Sequence, residues 1–292
     1  MSDSVLLGLL GENVAGSSTP PMHEAEGARQ GIPLVYRPLD PFTMSGPVGA
    51  APGAEPDWAR FVGLAADLGF TGLNVTHPAK QAVMPALDSM SDDARLLGAV
   101  NTVLFADSHA RGENTDHLGF TDAMNAIDVR ADAGPVVQVG TGGAGSAVAY
   151  ALLKAGAPRL HLVDLDASRA QALVARLSEA FDTSRMVITV PEDVPAVLAS
   201  ASGLVNCTPV GMTGVSDGSP VDVSALHPGL WVGDAVYRPL RTTLVRAAED
   251  LGCPAFGGAH MVVGQAVAAF ELFTGRPASR EAMHATFVDG LN

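Results

Sequence analysis

Val136-Val137-Gln138-Val139-Gly140-Thr141-Gly142-Gly143-Ala144-Gly145, then a helical segment, then Leu160-His161-Leu162-Val163-Asp164, is the stretch on which the fold of this chain turns. Residues 136–139 are an apolar run suited to a buried strand, and Gly140, Gly142 and Gly145 complete a G-x-G-x-x-G turn that encloses Gly143 and Ala144. Gly140 permits the tight turn, Gly142 lets the backbone approach a pyrophosphate, and Gly145 lets the next helix pack on the strand. That helix aims its first N–H groups at the phosphates. Gly156, with Pro158 beyond, is its stop signal. A second strand over 160–163 closes with Asp164, and a carboxylate about 20 residues past the last glycine is where the ribose hydroxyls of a dinucleotide are read. The order of strand, glycine turn, helix, strand and acid predicts a dinucleotide-binding α/β domain. A glycine-rich turn of some other α/β domain would leave Asp164 without a role.

The bulk properties frame this domain. A chain of 292 residues is comfortable for two cores at about 100–200 residues per domain. Hydrophobic residues make up 47% and charged residues 16%, as in a well-packed globular enzyme. The net charge of −14 argues against nucleic acid or an anionic membrane as partner, since both need a basic face. A local site can still oppose that field, so the substrate remains free to be an anion. Cys207 and Cys253 have no metal-ligand spacing and read as buried thiols in a reducing compartment. Met1-Ser2-Asp3-Ser4 lacks the basic start of a signal peptide, and no apolar run reaches the roughly 18 residues of a membrane span. These features predict a cytoplasmic protein, and the sequence leaves monomer and homodimer both open. The histidines do not cluster, so no metal is expected.

Working outward, strands are expected over 5–10, 34–39, 72–76 and 99–105, and helices over 22–30, 58–68 and 80–87. Residues 41–57 read as an extended Pro- and Gly-rich loop. The pattern changes near residue 117, where a helix over 117–127 leads to the glycine-rich strand. Downstream, Ala170, Leu173, Val174, Leu177 and Phe181 form a helical apolar stripe, and strands are expected over 186–190, 203–207 and 232–236. Strands alternating with helices imply a doubly wound parallel sheet. A last long helix, 258–274, is expected to return to the first domain. The expected organisation is an N-terminal α/β substrate domain (1–117), a Rossmann-type domain (118–257) and a C-terminal helical segment packing on the substrate domain (258–292).

Polar residues of the first 120 positions gather beside turns. The chain reads Ser17-x-Thr19-Pro20-x-Met22-His23, Asn74-Val75-Thr76-x-Pro78-x-Lys80, Gly98-Ala99-Val100-Asn101-Thr102 and Asn114-Thr115-Asp116-x-x-Gly119-Phe120. Further on come Asn206-x-Thr208-Pro209-x-Gly211-Met212, Asp234-x-Val236-Tyr237-x-Pro239 and Met261-x-x-x-Gln265-Ala266. In these seven motifs, and in their order, the sequence resembles the shikimate and quinate dehydrogenases over nearly its whole length.

The resemblance implies roles. Lys80 and Asp116 match the family's catalytic pair. Ser17 and Thr19 sit where its members hold the substrate carboxylate, and Asn74, Thr76, Asn101, Asp116 and Gln265 where they read ring hydroxyls. Tyr237 falls near the substrate and Met261 beside the nicotinamide. The implied substrate is a hydroxylated cyclohexane or cyclohexene carboxylate. The chemistry is coherent without the family. Oxidising a secondary alcohol sends a hydride to the nicotinamide, and a positioned side chain must take the hydroxyl proton. An ionised Asp116 favours charged Lys80, which works against Lys80 as a free base, so the two are treated as one coupled unit. Ser, Thr, Asn and Gln suit a polyol because each donates and accepts. His23 and His77 read as structural or rim residues. Asn206 and Thr208 read equally as lining the cofactor or as capping their turn.

Two departures bear on the cofactor. The common biosynthetic branch has Ser at the position of Thr19 and an Asn-Arg-Thr turn whose Arg binds the 2′-phosphate of NADP. Here the turn is Asp164-Leu165-Asp166, with no base before Arg169. The expectation is NAD, with NADP less favoured, and similarity to the NAD-dependent quinate/shikimate branch. The segment 22–27 also resembles that branch. Two other functions stay open: a dehydrogenase confined to shikimate or an amino-substituted relative, and a nucleotide-sensing protein that kept the fold but lost turnover.

Overall fold

The computed structural model describes residues 4–44, 54–107 and 109–291. Most of the loop expected over 41–57 lies outside the described residues, as do the first three residues of the N-terminus. The strands are β1 (Val5–Leu10), β2 (Leu34–Leu39), β3 (Gly72–Val75), β4 (Ser89–Met90), β5 (Thr102–Ala106), β6 (His109–Glu113), β7 (Val136–Val139), β8 (Leu160–Val163), β9 (Met186–Ile188), β10 (Gly203–Asn206), β11 (Trp231–Asp234) and β12 (Ala255–Phe256). The α-helices are α1 (Thr19–Arg29), α2 (Trp58–Asp67), α3 (Ala79–Ala82), α4 (Asp92–Leu97), α5 (Asp116–Ala126), α6 (Gly143–Lys154), α7 (Ala167–Leu177), α8 (Val194–Leu198), α9 (Thr243–Asp250), α10 (Gly258–Thr274) and α11 (Arg280–Asp289). The chain divides into two compact units. One comprises the chain up to Thr115 with Ala266 onward, the other Asp116–Gln265.

The first unit is built on a six-stranded sheet in the order β2-β1-β3-β5-β6-β4. β1 pairs in parallel with β2 and β3, whereas β5 runs antiparallel to both β3 and β6. The all-apolar β1 is buried because both faces are covered. Val5, Leu7, Leu9 and Tyr36 pack with Ala269, Phe270 and Phe273 from the end of α10. Leu10, Leu73, Val75 and Val103 pack with Trp58, Phe61, Val62 and Ala65, the apolar stripe of α2. The hairpin β5–β6 was not expected. Its second strand buries only Ala110 and Gly112, and such small side chains give little apolar alternation. The helix expected over 80–87 stops at Ala82, and a 3₁₀ turn takes over at Met84–Ala86, where Pro85 cannot donate its N–H.

The second unit carries a wholly parallel six-stranded sheet in the order β12-β11-β10-β7-β8-β9. Strand order reverses between β7 and β10, and the crevice at the carboxyl ends of such a switch point is where open α/β sheets bind ligands. β7 and β8 begin and end where the sequence placed them. α6 ends at Lys154, with Gly156 left-handed at φ 92° as the stop signal requires. Of the two thiols expected to be buried, Cys253 is buried and Cys207 only partly so. Among the described residues no helix is long and apolar enough to cross a membrane.

Candidate active site

In the second unit the carboxyl end of β7 runs into the glycine turn. Gly140 sits at φ 96°, and a Cβ there would lie 2.8 Å from the Cys207 carbonyl oxygen and 2.9 Å from Thr208 Cγ2. A Cβ on Gly145 would collide with the Gly140 carbonyl oxygen. At Gly142 and Gly143 a Cβ would meet nothing within 4 Å, and residues 142–144 are exposed. Gly142 caps α6 without a side-chain bond, which leaves first-turn N–H groups of a 12-residue helix for an anion. Bare backbone, an uncapped helix start and an acid at the next strand end fit a dinucleotide.

That acid is firmly held. Thr141 donates its N–H (2.8 Å) and its hydroxyl (2.6 Å) to Asp164 Oδ2, and the Asp166 N–H donates to Oδ1 at 3.0 Å. Partial burial pushes the Asp164 carboxyl up, but these hydrogen bonds outweigh it and hold the group below the usual carboxylate range. Asp166 caps α7 through Ser168, and exposed Arg169 places Nε 3.6 Å from Asp166 Oδ2. Across the switch point, Asn206 Oδ1 accepts the N–H and hydroxyl of Thr208, and Asn206 Nδ2 donates to Asp234 Oδ1 at 2.9 Å. The Thr208 hydroxyl proton is therefore used within its own turn. Asp234 also accepts from the Val236 N–H and the Thr242 hydroxyl, and burial pushes its carboxyl up to about 6.

The polar end of the first unit is built differently. Register places Leu10 opposite Val75 and Asn74 opposite Thr102, so the carboxyl ends of β1 and β3 and the start of β5 share one edge of the sheet. Glu113, the last residue of β6, pairs with Thr102 at that edge. This edge carries Asn74, Thr76, Asn101 and Thr115. Lys80 is tied to it through its carbonyl, which accepts from the Val100 N–H at 2.9 Å. The loop after β1 brings Ser17 and Thr19 to the N-terminus of α1, where Ser17 Oγ accepts from the Thr19 N–H at 3.2 Å. The Ser17 hydroxyl proton can still be donated.

Asn74 and Asn101 are buried and joined by a hydrogen-bond chain. Tyr36 donates its hydroxyl to Asn74 Oδ1 (2.5 Å), and Asn74 Nδ2 donates to Thr102 Oγ1 (3.2 Å). Thr102 donates to Asn101 Oδ1 (3.0 Å), which also accepts the Thr115 N–H (2.8 Å), while Asn101 Nδ2 donates to Thr115 Oγ1 (2.9 Å). Asn74 spends its carbonyl on Tyr36 and its amino group on Thr102 and, at 3.5 Å, the Asn101 carbonyl. These bonds hold the amide in one orientation and leave the second acceptor position of Oδ1 open. His23 lies fully buried against Tyr36, Phe270 and Phe273, with Nδ1 3.0 Å from the Thr19 carbonyl. Burial pulls its pKa down to about 4, so the ring is neutral at pH 7. His77 is exposed.

Asp116 follows Thr115 and opens α5. A Cβ on Gly119, one turn on, would strike the Met261 carbonyl oxygen and come within 2.7 Å of the Gln265 backbone nitrogen. This close crossing fixes Met261 (buried) and Gln265 (half-buried) against the start of α5. Tyr237, 37% exposed, follows β11. The sequence reading quoted Thr102, Thr115, Gln138 and Thr141 without giving them a role and passed over the hydroxyl of Tyr36. Tyr36 had a faint signal as the one aromatic of β2, whose hydroxyl needs a partner when the ring is buried. Gln138 is an amide in an otherwise all-valine strand, and it donates to the Gly140 and Gly145 carbonyls at 2.9 and 2.8 Å.

Comparison with known proteins gives the family. The shikimate dehydrogenase substrate binding domain matches residues 9–103, and the shikimate 5′-dehydrogenase C-terminal domain matches residues 258–286. A shikimate dehydrogenase (NADP(+)) of Pseudarthrobacter chlorophenolicus is 47% identical, covering 99% of this chain and 96% of its own length. A quinate/shikimate dehydrogenase (NAD(+)) of Corynebacterium glutamicum is 45% identical, covering 99% of both chains. The solved quinate dehydrogenase from Corynebacterium glutamicum in complex with NAD superposes with a TM-score of 0.91 at 45% identity, over 98% of this chain and 99% of its own. With identity sustained over essentially the whole length, this chain belongs to the shikimate dehydrogenase family, oxidoreductases that act on a CH–OH group with NAD(P).

Proposed function

We propose that this enzyme oxidises a ring secondary alcohol of quinate and of shikimate to the 3-dehydro ketone, with NAD rather than NADP as hydride acceptor. The observation that carries the reading is the ionised Asp164 carboxylate fixed at the end of β8, with Asp166 beside it and the nearest base, Arg169, drawn toward Asp166. A carboxylate accepts from a free ribose 2′-hydroxyl and repels a phosphate of about −2 charge at the same place. The relatives divide between the two cofactors, so this acidic turn carries the choice.

The first unit supports an anionic polyol. Ser17 and Thr19 supply hydroxyl donors at the start of an 11-residue helix, whose N-terminus favours a carboxylate against the net charge of the chain. Asn74, Thr76 and Asn101 read ring hydroxyls, as do Asp116 and Gln265 of the second unit, with Tyr237 near the substrate. Lys80 and Asp116 act as one unit that takes the hydroxyl proton as the C–H carbon becomes a carbonyl. The bound nicotinamide supplies the hydride acceptor, beside Met261.

Initial rates for quinate and shikimate, each with NAD and with NADP, test the proposal through the absorbance of the reduced cofactor. Turnover of both acids with a clear NAD preference is expected. Turnover of shikimate alone would favour the narrower dehydrogenase. Equal efficiency with both cofactors would remove the NAD assignment.

A further inference from the structure

We propose that Thr141, the second residue of the glycine turn, is a positioning residue that sets cofactor discrimination by locking Asp164 in place. The inference rests on the NAD reading above and deepens it. Asp164 stands at a strand end, half-buried, on a side chain with two free torsions. Unrestrained, its carboxylate could swing into solvent and give way to a 2′-phosphate. Two donors from Thr141 converge on Oδ2 and prevent this. The N–H bond at 2.8 Å is open to any residue at position 141 other than proline, but the hydroxyl bond at 2.6 Å requires Thr or Ser. Thr141 is buried, 5% exposed, so this hydrogen bond to a charged group is shielded from competing water. The Asp166 N–H takes one position on Oδ1. A carboxylate has about four acceptor positions, so three are filled by protein and the fourth, on Oδ1, is left for a ribose hydroxyl. The glycine turn that cradles the pyrophosphate thereby also aims the acid that reads the ribose.

The argument makes the hydroxyl, and not the bulk, of Thr141 the active part. Affinities of NAD and NADP measured by calorimetry on purified T141V, T141S, D164N and the T141V/D164N double variant test it, with the KM for shikimate at saturating NAD as control. T141V keeps the shape and removes the donor, and loss of a hydrogen bond to a charged group predicts NAD binding about 10-fold weaker at about 1.4 kcal/mol per decade. NADP binding should weaken less or improve, so the NAD preference narrows, while T141S keeps it and the shikimate KM holds. In the D164N background T141V should cost clearly less than in the unmodified enzyme, because the neutral amide oxygen accepts the Thr141 hydroxyl less strongly than the carboxylate does. Additivity in that cycle, an unchanged NAD affinity in T141V, or equal weakening of both cofactors in T141V and T141S would each overturn the proposal. An unmodified enzyme that binds NADP as tightly as NAD would overturn both this role and the NAD reading. An effect absent only in T141V would overturn this role alone.

Discussion

The two units build the polar edges of their sheets by opposite means. In the second unit the work falls mostly to backbone: bare glycines, an uncapped helix start and a single acid held by the turn itself. In the first it falls to side chains, and these are braced by a buried chain from Tyr36 through Asn74, Thr102 and Asn101 to Thr115. Backbone recognition suits a pyrophosphate, which needs N–H donors and close approach. A polyol needs groups that donate and accept at fixed points, and a buried amide holds such a point only when its other bonds are satisfied. Substitutions should therefore act locally in the second unit and propagate along the brace in the first.

The largest expected effect is on the proposed proton-handling pair, Lys80 and Asp116. Lys80→Ala should lower kcat by about 10²-fold or more, the scale of a lost positioned acid or base, with a smaller change in substrate affinity. Asp116→Asn should lower kcat as well, and the double variant should fall well short of additive. Steady-state kinetics decide, and near-normal turnover in Lys80→Ala would sink the assignment.

Next comes a contrast in pH response between the units. Folded His23 stays neutral down to about pH 4, whereas an unfolded histidine protonates near 6.5, so its contribution to stability is full above 6.5 and is lost as pH falls toward 4. That window is worth about 3 kcal/mol. Asp234 runs the other way. Its folded carboxyl keeps its proton up to about 6, against 3.8 unfolded, so its contribution is full below 3.8 and is lost as pH rises through 6. Native-state hydrogen exchange between pH 4 and 6.5 should show the first unit weakening on acidification. His23→Phe should flatten that slope, and Asp234→Asn should remove the opposing one in the second unit. If neither variant alters its slope, the buried groups are not the source.

Cofactor preference is the third test. With solvent screening allowed for, kcat/KM should favour NAD by roughly 30-fold, and Asp164→Asn should narrow the gap. Adding Leu165→Arg should help NADP further. The smallest effect concerns the carboxylate end. Ser17→Ala or Thr19→Val should raise the KM for the acid substrate by roughly 10-fold, the scale of one charge-assisted hydrogen bond, and leave the KM for NAD unchanged. A substrate KM unmoved in both would put the carboxylate elsewhere.

The dinucleotide turn of the second unit and its two flanking strands were legible residue by residue, whereas α8, α9 and β12 were not read. Val136–Val139 and Leu160–Val163 are short, apolar at three positions of four and bounded by glycine or acid, so composition and punctuation agree on them. In the first unit β6 escaped because Ala110 and Gly112 carry almost no apolar signal, and α3 was read too long because its pattern continues past Pro85. Asn74 illustrates the limit for the site. Its place in the motif was plain, but its commitment to Tyr36 and Thr102 depends on partners 38 and 28 residues away.

The sequence by itself determined the dinucleotide turn, the acid that follows it, the family motifs and their order, because each is a local pattern whose meaning lies in spacing. Only the tertiary structure decided which polar residues bond to one another at the strand ends. Thr141 and Asp164 are 23 residues apart and become partners because parallel β7 and β8 end side by side. Asn74, Thr102 and Asn101 meet because β3 and β5 run antiparallel in one register. A hydrogen bond needs two groups at about 3 Å, and chain spacing alone does not say which distant groups the sheet brings to that distance.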